Sequence, residues 1–200
     1  MGQVIGITGG IASGKSTVSS YIREELGYII IDADIAARVV AEPGEKAFNQ
    51  IVEAFGQEII GADGSINRPR LGAIIFHNEE KRLLLNSIVH PAVRAWMNEQ
   101  KELAFLRGEN TVFMDIPLLF ESNLTHMVDK TILVYVDPDI QLGRLMNRNQ
   151  LDEKEAKARI SSQMPLTQKK ELADVVIDNN GDISETKRQV KAALHNMGIL

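Results

Sequence analysis

Five short apolar runs punctuate the chain: Val4–Ile7, Tyr28–Ile31, Thr111–Met114, Thr131–Val136 and Val175–Ile177. None alternates with polar residues as a half-buried strand does, so each predicts a strand buried on both faces of a parallel sheet. Between the runs the spacing turns helical. Val18, Ile22 and Leu26 recur at i, i+4 and i+8 on one helix face, and Gly27 follows as a C′ residue. Strand and helix signals in alternation predict an α/β fold, a five-stranded parallel sheet flanked by helices.

The gap between the second and third runs is far longer than one crossover helix needs. Residues 43–110 are helical in pattern, with Asp63-Gly64 as a turn signal, and predict an inserted helical subdomain. A second excursion spans residues 150–165, where Asp152-x-x-Glu155 reads as a capping box and Pro165 closes the segment. It predicts a short helical lid. The remaining stretches, 1–42, 111–149 and 166–200, form the expected core.

The first strand leads into Gly9-Gly10-Ile11-Ala12-Ser13-Gly14-Lys15-Ser16, which matches G-x-x-x-x-G-K-S/T, the phosphate-binding loop or P-loop. Strand, glycine loop and helix stand in the order the chemistry requires. Backbone N–H groups of residues 10–16 can point at phosphate oxygens at the positive helix end, which Thr17 continues. Lys15 is expected to reach the β- and γ-phosphates, and the Ser16 hydroxyl to ligate Mg²⁺.

Polar groups at strand ends carry the next weight, because ligands of open α/β sheets bind there. The second strand runs into Ile31-Asp32-Ala33-Asp34, where alternation places both carboxylates on one side if the strand continues. One acid can equally cap the following helix, with Asp34 and Arg38 as an i,i+4 pair. The third strand delivers Asp115, expected to hold Mg²⁺ directly or through water, or else to start a turn. Arg144 and Arg148 lie i,i+4 after the fourth strand, and Arg159 falls in the lid. Arginines that close on a transferring phosphoryl group neutralise charge and exclude water. The four histidines have no metal-ligand spacing. His90-Pro91 reads as a helix start with Pro at N1. Asn179-Asn180-Gly181 reads as a turn.

Composition narrows the class. Two hundred residues with a net charge of −5 imply no broad basic face for nucleic acid, and no apolar run approaches a membrane span. The absence of cysteine excludes disulfides and thiolate metal sites, and fits a cytoplasmic protein. Nothing in the sequence fixes an oligomeric state.

The chain resembles dephospho-CoA kinases from about Val4 to beyond Gly181. The likeness lies in Thr8-Gly9-Gly10-Ile11, Asp32-Ala33-Asp34 with Arg38, Phe55-Gly56, Ile66-Asn67-Arg68, Leu85-Asn86 and His90-Pro91. It continues in Asp115-x-Pro117-Leu118-Leu119-Phe120-Glu121, Arg144 and Arg148, Arg159-x-x-x-Gln163-Met164-Pro165, and Ala173 to Asn179. Two departures stand out. Ala12 replaces a frequent glycine, which fits if its φ stays below zero. Asn149 replaces an aspartate that commonly follows the lid arginine, which removes a local ion pair.

The resemblance implies transfer of the ATP γ-phosphate to the ribose 3′-hydroxyl of dephospho-CoA, the last step of coenzyme A synthesis. It implies that residues 43–110 bind CoA and that Asp34 is the base facing the acceptor hydroxyl. Arg38, His90, Pro117, Leu118 and Glu121 become substrate-site residues, and Asn179 comes to lie near adenine. The rivals are another nucleoside or nucleotide kinase on the same scaffold and a nucleotide-dependent switch. A GTP switch needs a guanine-reading Asn-Lys-x-Asp segment, which the chain lacks.

Overall fold

The computed structural model describes residues 2–200. The five predicted strands form, as β1 (Gln3–Gly9), β2 (Ile29–Asp32), β3 (Thr111–Asp115), β4 (Lys130–Tyr135) and β5 (Val175–Asp178). They make one parallel sheet in the order β2-β3-β1-β4-β5. The connection leaving β3 crosses β1 to reach β4, so the winding reverses beside β1. The carboxyl ends of β1 and β3 therefore flank a topological switch point, where open α/β sheets bind ligands.

The chain forms two compact units, one comprising the chain up to Ile30 with Ala104–Leu200 and the other Ile31–Leu103. The boundaries fall at Ile31 and Ala104, so the helical unit is longer than the expected 43–110 and takes in the end of β2.

In the first unit, α1 (Lys15–Glu24) and α9 (Ile183–Asn196) cover one sheet face. Val18, Tyr21 and Ile22 of α1 and Val190 and Leu194 of α9 close on Ile5, Ile7, Phe113, Ile132, Val134 and Ile177. Burying such a branched side chain is worth about 1.5–3 kcal/mol relative to exposure. The other face is covered by loops and α8 (Leu166–Leu172), with Leu166 against Leu133 and Tyr135. A Cβ on Gly6 would press on Leu119 and Val128 at 3.1–3.3 Å, which keeps that loop close to β1. Between β4 and α8 lie α6 (Pro138–Asn149) and α7 (Glu153–Ser161). The Asp152–Glu155 capping box is formed as expected. Pro165 does not merely close the 150–165 segment: its carbonyl accepts from the Gln168 and Lys169 amides and starts α8, a helix the sequence pattern does not announce.

The second unit has its own core. Ala47, Ile51 and Phe55 line one face of α3 (Lys46–Phe55). Ile51 and Phe55 meet Leu71, Ile74 and Ile75 of α4 (Arg68–Phe76) and Leu85, Ile88 and Val89 of α5 (Glu79–Leu106). The Asp63-Gly64 turn is present, closed by an antiparallel bridge between Ile60 and Ile66. α2 (Ala33–Val39) follows β2 directly. His90-Pro91 does not begin a helix: α5 runs unbroken through Pro91. A proline there has no N–H for the carbonyl one turn back, that of Ser87.

Two expected outcomes follow from this frame. Ala12 has φ 59°, in the left-handed region, against the expectation of a negative value. That conformation costs an L-residue roughly 1–2 kcal/mol, which exceeds the roughly 0.4–1 kcal/mol gained from a stiffer unfolded chain. Ala12→Gly should therefore raise the melting temperature by about 1–4 °C. A calorimetric scan with an unchanged or lower midpoint would mean that the loop accommodates the methyl group without strain.

Asp174, in the turn before β5, accepts from the Thr131 amide and hydroxyl, both at 2.8 Å. Burial is the largest single influence and pushes its pKa up. The two Thr131 hydrogen bonds and the Lys130 charge together outweigh it, and hold the carboxyl below its ordinary 3.8. The shift is downward, so the carboxylate's stabilisation is complete above 3.8 and disappears as the pH falls through the lower folded value. Asp174→Asn should lower stability at neutral pH and flatten the loss between about pH 5 and 2. Denaturation midpoints across that range measure it, and parallel curves for the two proteins would sink the assignment.

Candidate active site

The loop between β1 and α1 is shaped by residues that leave no room for side chains. A Cβ on Gly10 would stand 2.8 Å from Gln141 Nε2, and one on Gly14 only 2.0 Å from Asn179 Nδ2. Gly14 also has φ 89°, so Ala12 and Gly14 flank Ser13 with left-handed backbone. Alternating handedness of this kind turns successive N–H groups into one concavity, a nest for an anion.

Not every amide of residues 10–16 is available. Ile11 N–H donates to Gln163 Oε1 at 2.8 Å, and Ser13 N–H donates to the Gly10 carbonyl at 3.1 Å. Those of Ala12, Gly14, Lys15 and Ser16 meet no protein acceptor among the described residues. α1 has no side-chain cap and no acid in its first turn. Its positive end is left to an external anion.

The loop is braced from behind. Gln141 Nε2 donates to the Ile11 carbonyl at 2.8 Å. Asn179 Nδ2 donates to the Ser13 carbonyl at 2.8 Å, and Asn179 Oδ1 accepts from Thr186 Oγ1 at 2.8 Å. The side chain expected near adenine is thus engaged by the protein, and supports the loop that holds phosphate.

At the carboxyl end of β3, Asp115 is 2% exposed. Its Oδ1 pairs with Lys15 Nζ, and its Oδ2 accepts from Ser19 Oγ at 2.6 Å. Ser19 sits one helical turn after Lys15, so both partners come from the same face of α1. Asp115 is therefore a buried counter-ion to the loop lysine. Ser16 is exposed at the loop rim and offers the hydroxyl oxygen that a hard cation prefers. Asp115, with both oxygens engaged, fits an orienting role toward such a cation more readily than direct ligation.

Pro117 and Glu121 follow β3. The Pro117 carbonyl accepts from Thr8 Oγ1 at 3.1 Å and from Lys169 Nζ at 3.0 Å. Glu121 Oε1 meets Lys169 Nζ at 2.9 Å and the Met164 amide at 3.1 Å, while its Oε2 is buried without a partner among the described residues. Leu118 is exposed. Arg144 is half-buried on α6, and Arg148, at the end of that helix, donates through Nε to Asn149 Oδ1 at 2.8 Å. The amide at 149 thus still accepts from this arginine, without an ion pair. Arg159 is exposed on α7. None of the three arginines has a carboxylate partner among the described residues, so their charge is uncompensated.

In the helical unit, the strand does not continue past Asp32, so strand alternation does not orient the two acids. Asp32 is the N-cap of α2, accepting from the amides of Asp34 at 2.7 Å and Ile35 at 3.1 Å. The Asp34 carboxylate is exposed and makes no hydrogen bond among the described residues, and no ion pair joins it to Arg38. His90 is exposed on α5.

Sequence reasoning missed Ser19, Gln141, Lys169 and Thr186, and gave Gln163 only as part of the family likeness. Only Ser19 carried a local signal, a hydroxyl four residues after the loop lysine. Lys169 sits beside Lys170 and reads as part of a solvated face, yet it is fully buried.

A model of the dephospho-CoA kinase family matches residues 3–185. A dephospho-CoA kinase of Bacillus cereus is 57% identical over 200 residues, covering all of both chains. One from Geobacillus kaustophilus is 59% identical over 194 residues, 97% of this chain and 96% of the relative. The solved dephospho-CoA kinase from Campylobacter jejuni superposes with a TM-score of 0.75 at 29% identity, covering 98% of each chain. With a phosphate nest, a lysine on a buried aspartate and this full-length likeness, the chain belongs to the dephospho-CoA kinase family.

Proposed function

We infer that this protein transfers the γ-phosphoryl group of ATP to the 3′-hydroxyl of the ribose of dephospho-CoA, completing coenzyme A. The observation that carries the donor half is the set of four backbone N–H groups leading into α1 that meet no protein acceptor among the described residues, with Lys15 beside them. The full-length likeness to dephospho-CoA kinases supports the acceptor.

Residues Gly10 to Thr17 hold the triphosphate of ATP. Lys15 neutralises charge at the β- and γ-phosphates, and Asp115 holds that lysine in place. Ser16 is the residue for Mg²⁺, with Asp115 behind it; when bound, the ion shields phosphate charge during in-line displacement. Arg144 and Arg148 supply positive charge where it develops on the transferring group, and residues 150–165 act as the lid that excludes water. Asn179 serves the nucleotide through the loop it braces. On the acceptor side, the reading assigns Asp34 to the 3′-hydroxyl, Arg38 and His90 to the rest of the substrate, and Pro117, Leu118 and Glu121 to the core's share of its contacts. Transfer is balanced: the hydroxyl oxygen gains the phosphoryl group, its proton passes to Asp34, and ADP leaves.

No helix among the described residues is long and apolar enough to cross a membrane. A cytoplasmic place for the reaction is part of the proposal, since ATP is its donor. Turnover measured with dephospho-CoA, adenosine, AMP and shikimate tests the acceptor directly. Preference for any of the last three would replace this reading with another small-molecule kinase.

Lys15→Met should lower kcat by about 10²–10³-fold or more, because fixed charge in a water-poor site is lost where charge develops. It should also lower the melting temperature, since Asp115 is left buried with Ser19 alone. Circular dichroism verifies the fold, and near-normal ADP formation by the folded variant would take the loop out of the mechanism.

The two acids of the helical unit separate cleanly. Asp34→Asn should cut kcat by about 10²–10⁴-fold with little change in ATP affinity or melting temperature. Asp32→Ala should instead cost about 0.5–2 kcal/mol of stability through the lost cap. Full turnover in Asp34→Asn would place the base elsewhere.

A further inference from the structure

Among the described residues, Lys169 is the one lysine whose burial is complete. A buried ammonium is costly unless all three protons find acceptors. Here two carbonyls accept from it and a carboxylate pairs with its charge, and these groups come from two segments, the end of β1 and the stretch after β3. The Gly9 carbonyl, at the end of β1, lies at 3.0 Å; the Pro117 carbonyl, beyond β3, lies at 3.0 Å; Glu121 Oε1 lies at 2.9 Å.

The location explains the need. The β1–β3 ladder runs as far as Ile7 against Asp115, and the Ile116 amide still donates to the Ile7 carbonyl at 2.9 Å. One step further, the Gly9 and Pro117 carbonyls face the same point with no backbone N–H between them. Two carbonyls and a carboxylate converge there, and one ammonium meets all three. Thr8 Oγ1 adds one hydrogen bond to the Pro117 carbonyl but leaves Gly9 unserved. The ammonium thus closes the ladder where the strands part to make room for the phosphate loop.

The same group reaches the lid. Glu121 Oε1, fixed by Lys169, also accepts from the Met164 amide at 3.1 Å. The neighbouring residue, Gln163, accepts from the Ile11 amide inside the phosphate loop at 2.8 Å. The C-terminal end of the 150–165 segment is therefore tied at two adjacent residues, one to the loop and one to the Lys169–Glu121 pair.

We propose that Lys169 is a positioning residue of the phosphotransfer site, whose buried ammonium sets the phosphate loop, the Pro117–Glu121 segment and the lid's C-terminal anchor in one fixed arrangement. It touches neither nucleotide nor acceptor. Its effect is to hold Lys15 and the lid-borne charges against a common reference, so its loss is felt in alignment. The proposal rests on the kinase reading above for its activity readout.

The test compares Lys169→Met and Glu121→Gln with the unaltered chain, by steady-state kinetics and by amide hydrogen exchange at Ile11 and Met164. Folded Lys169→Met should lose about 10–100-fold in kcat, the scale of a small misalignment, with the KM for ATP within about two-fold. Exchange at Met164 and Ile11 should quicken by at least about 10-fold while amides inside β4 keep their protection. A merely structural lysine would lower the melting temperature without changing kcat per folded molecule. Wild-type kcat, or unchanged exchange at both amides, in folded Lys169→Met overturns the proposal. Should that variant fail to fold, Glu121→Gln decides. It keeps Lys169 and its two carbonyl bonds, so it should lose Met164 protection and a smaller share of kcat, and wild-type values for both would overturn the proposal. Exchange is read on the chain without substrate. Failure of the unaltered chain to phosphorylate dephospho-CoA would therefore remove the kinase reading and leave the exchange result to judge the clamp.

Discussion

Four amides leading into α1 find no protein acceptor among the described residues, and much of the surrounding structure keeps it that way. A helix end ordinarily captures a side-chain oxygen or tightens on itself. Here the preceding residue is Gly14, which has no side chain to offer, and Asn179 occupies the volume where a Cβ would go. The neighbouring amides that could compete for a ligand are already satisfied, Ile11 by Gln163 and Ser13 by Gly10. The selection is sharp: the loop withholds some donors and presents others. A chain of net charge −5 thereby offers a polyanion a local field of opposite sign.

The cost of this arrangement is distributed around the loop. Ala12 accepts a left-handed backbone, Asp115 accepts burial, and Lys169 accepts complete desolvation. The two buried charges are each compensated by specific partners. Asp115 has Lys15 and Ser19, and Lys169 has two carbonyls and Glu121. Buried pairs contribute little net stability over apolar packing, but they fail badly when one member is lost. They suit a site whose geometry must be single-valued more than one whose stability must be large.

How much of this was legible in the sequence depends on the range of the interaction. The strands were readable because burial on both faces writes a continuous apolar run into a few adjacent residues. The phosphate loop was readable because its glycines and lysine act within one turn of chain. The α7 capping box was readable for the same reason. By contrast, Lys169 meets Gly9 across 160 residues, and Gln163 meets Ile11 across 152. Nothing near residue 169 marks it as buried. Asn179 was noticed, but its hydrogen bonds to Ser13 and Thr186 were not, because a turn sequence does not disclose which partner its amide will find. Pro91 misled for a related reason: a proline preceded by histidine suits a helix start, and only packing of Leu85, Ile88 and Val89 in the second core carries the helix through it. The sign of φ at Ala12 is likewise a tertiary property, imposed by the curl of the loop.

The burial of Lys169 has a chemical corollary. An amine reacts with acylating reagents through a free lone pair, and this one is held by two carbonyls and a carboxylate and has no solvent contact. Buried as it is, it offers no accessible surface to reagents that reach the exposed lysines. Modification at residue 169 requires that the carbonyls of Gly9 and Pro117 first let go. Its labelling rate is then a clock for local opening at the junction of loop and lid, readable by mass spectrometry in the presence or absence of nucleotide. The residue that fixes the frame is also a built-in reporter of when the frame loosens.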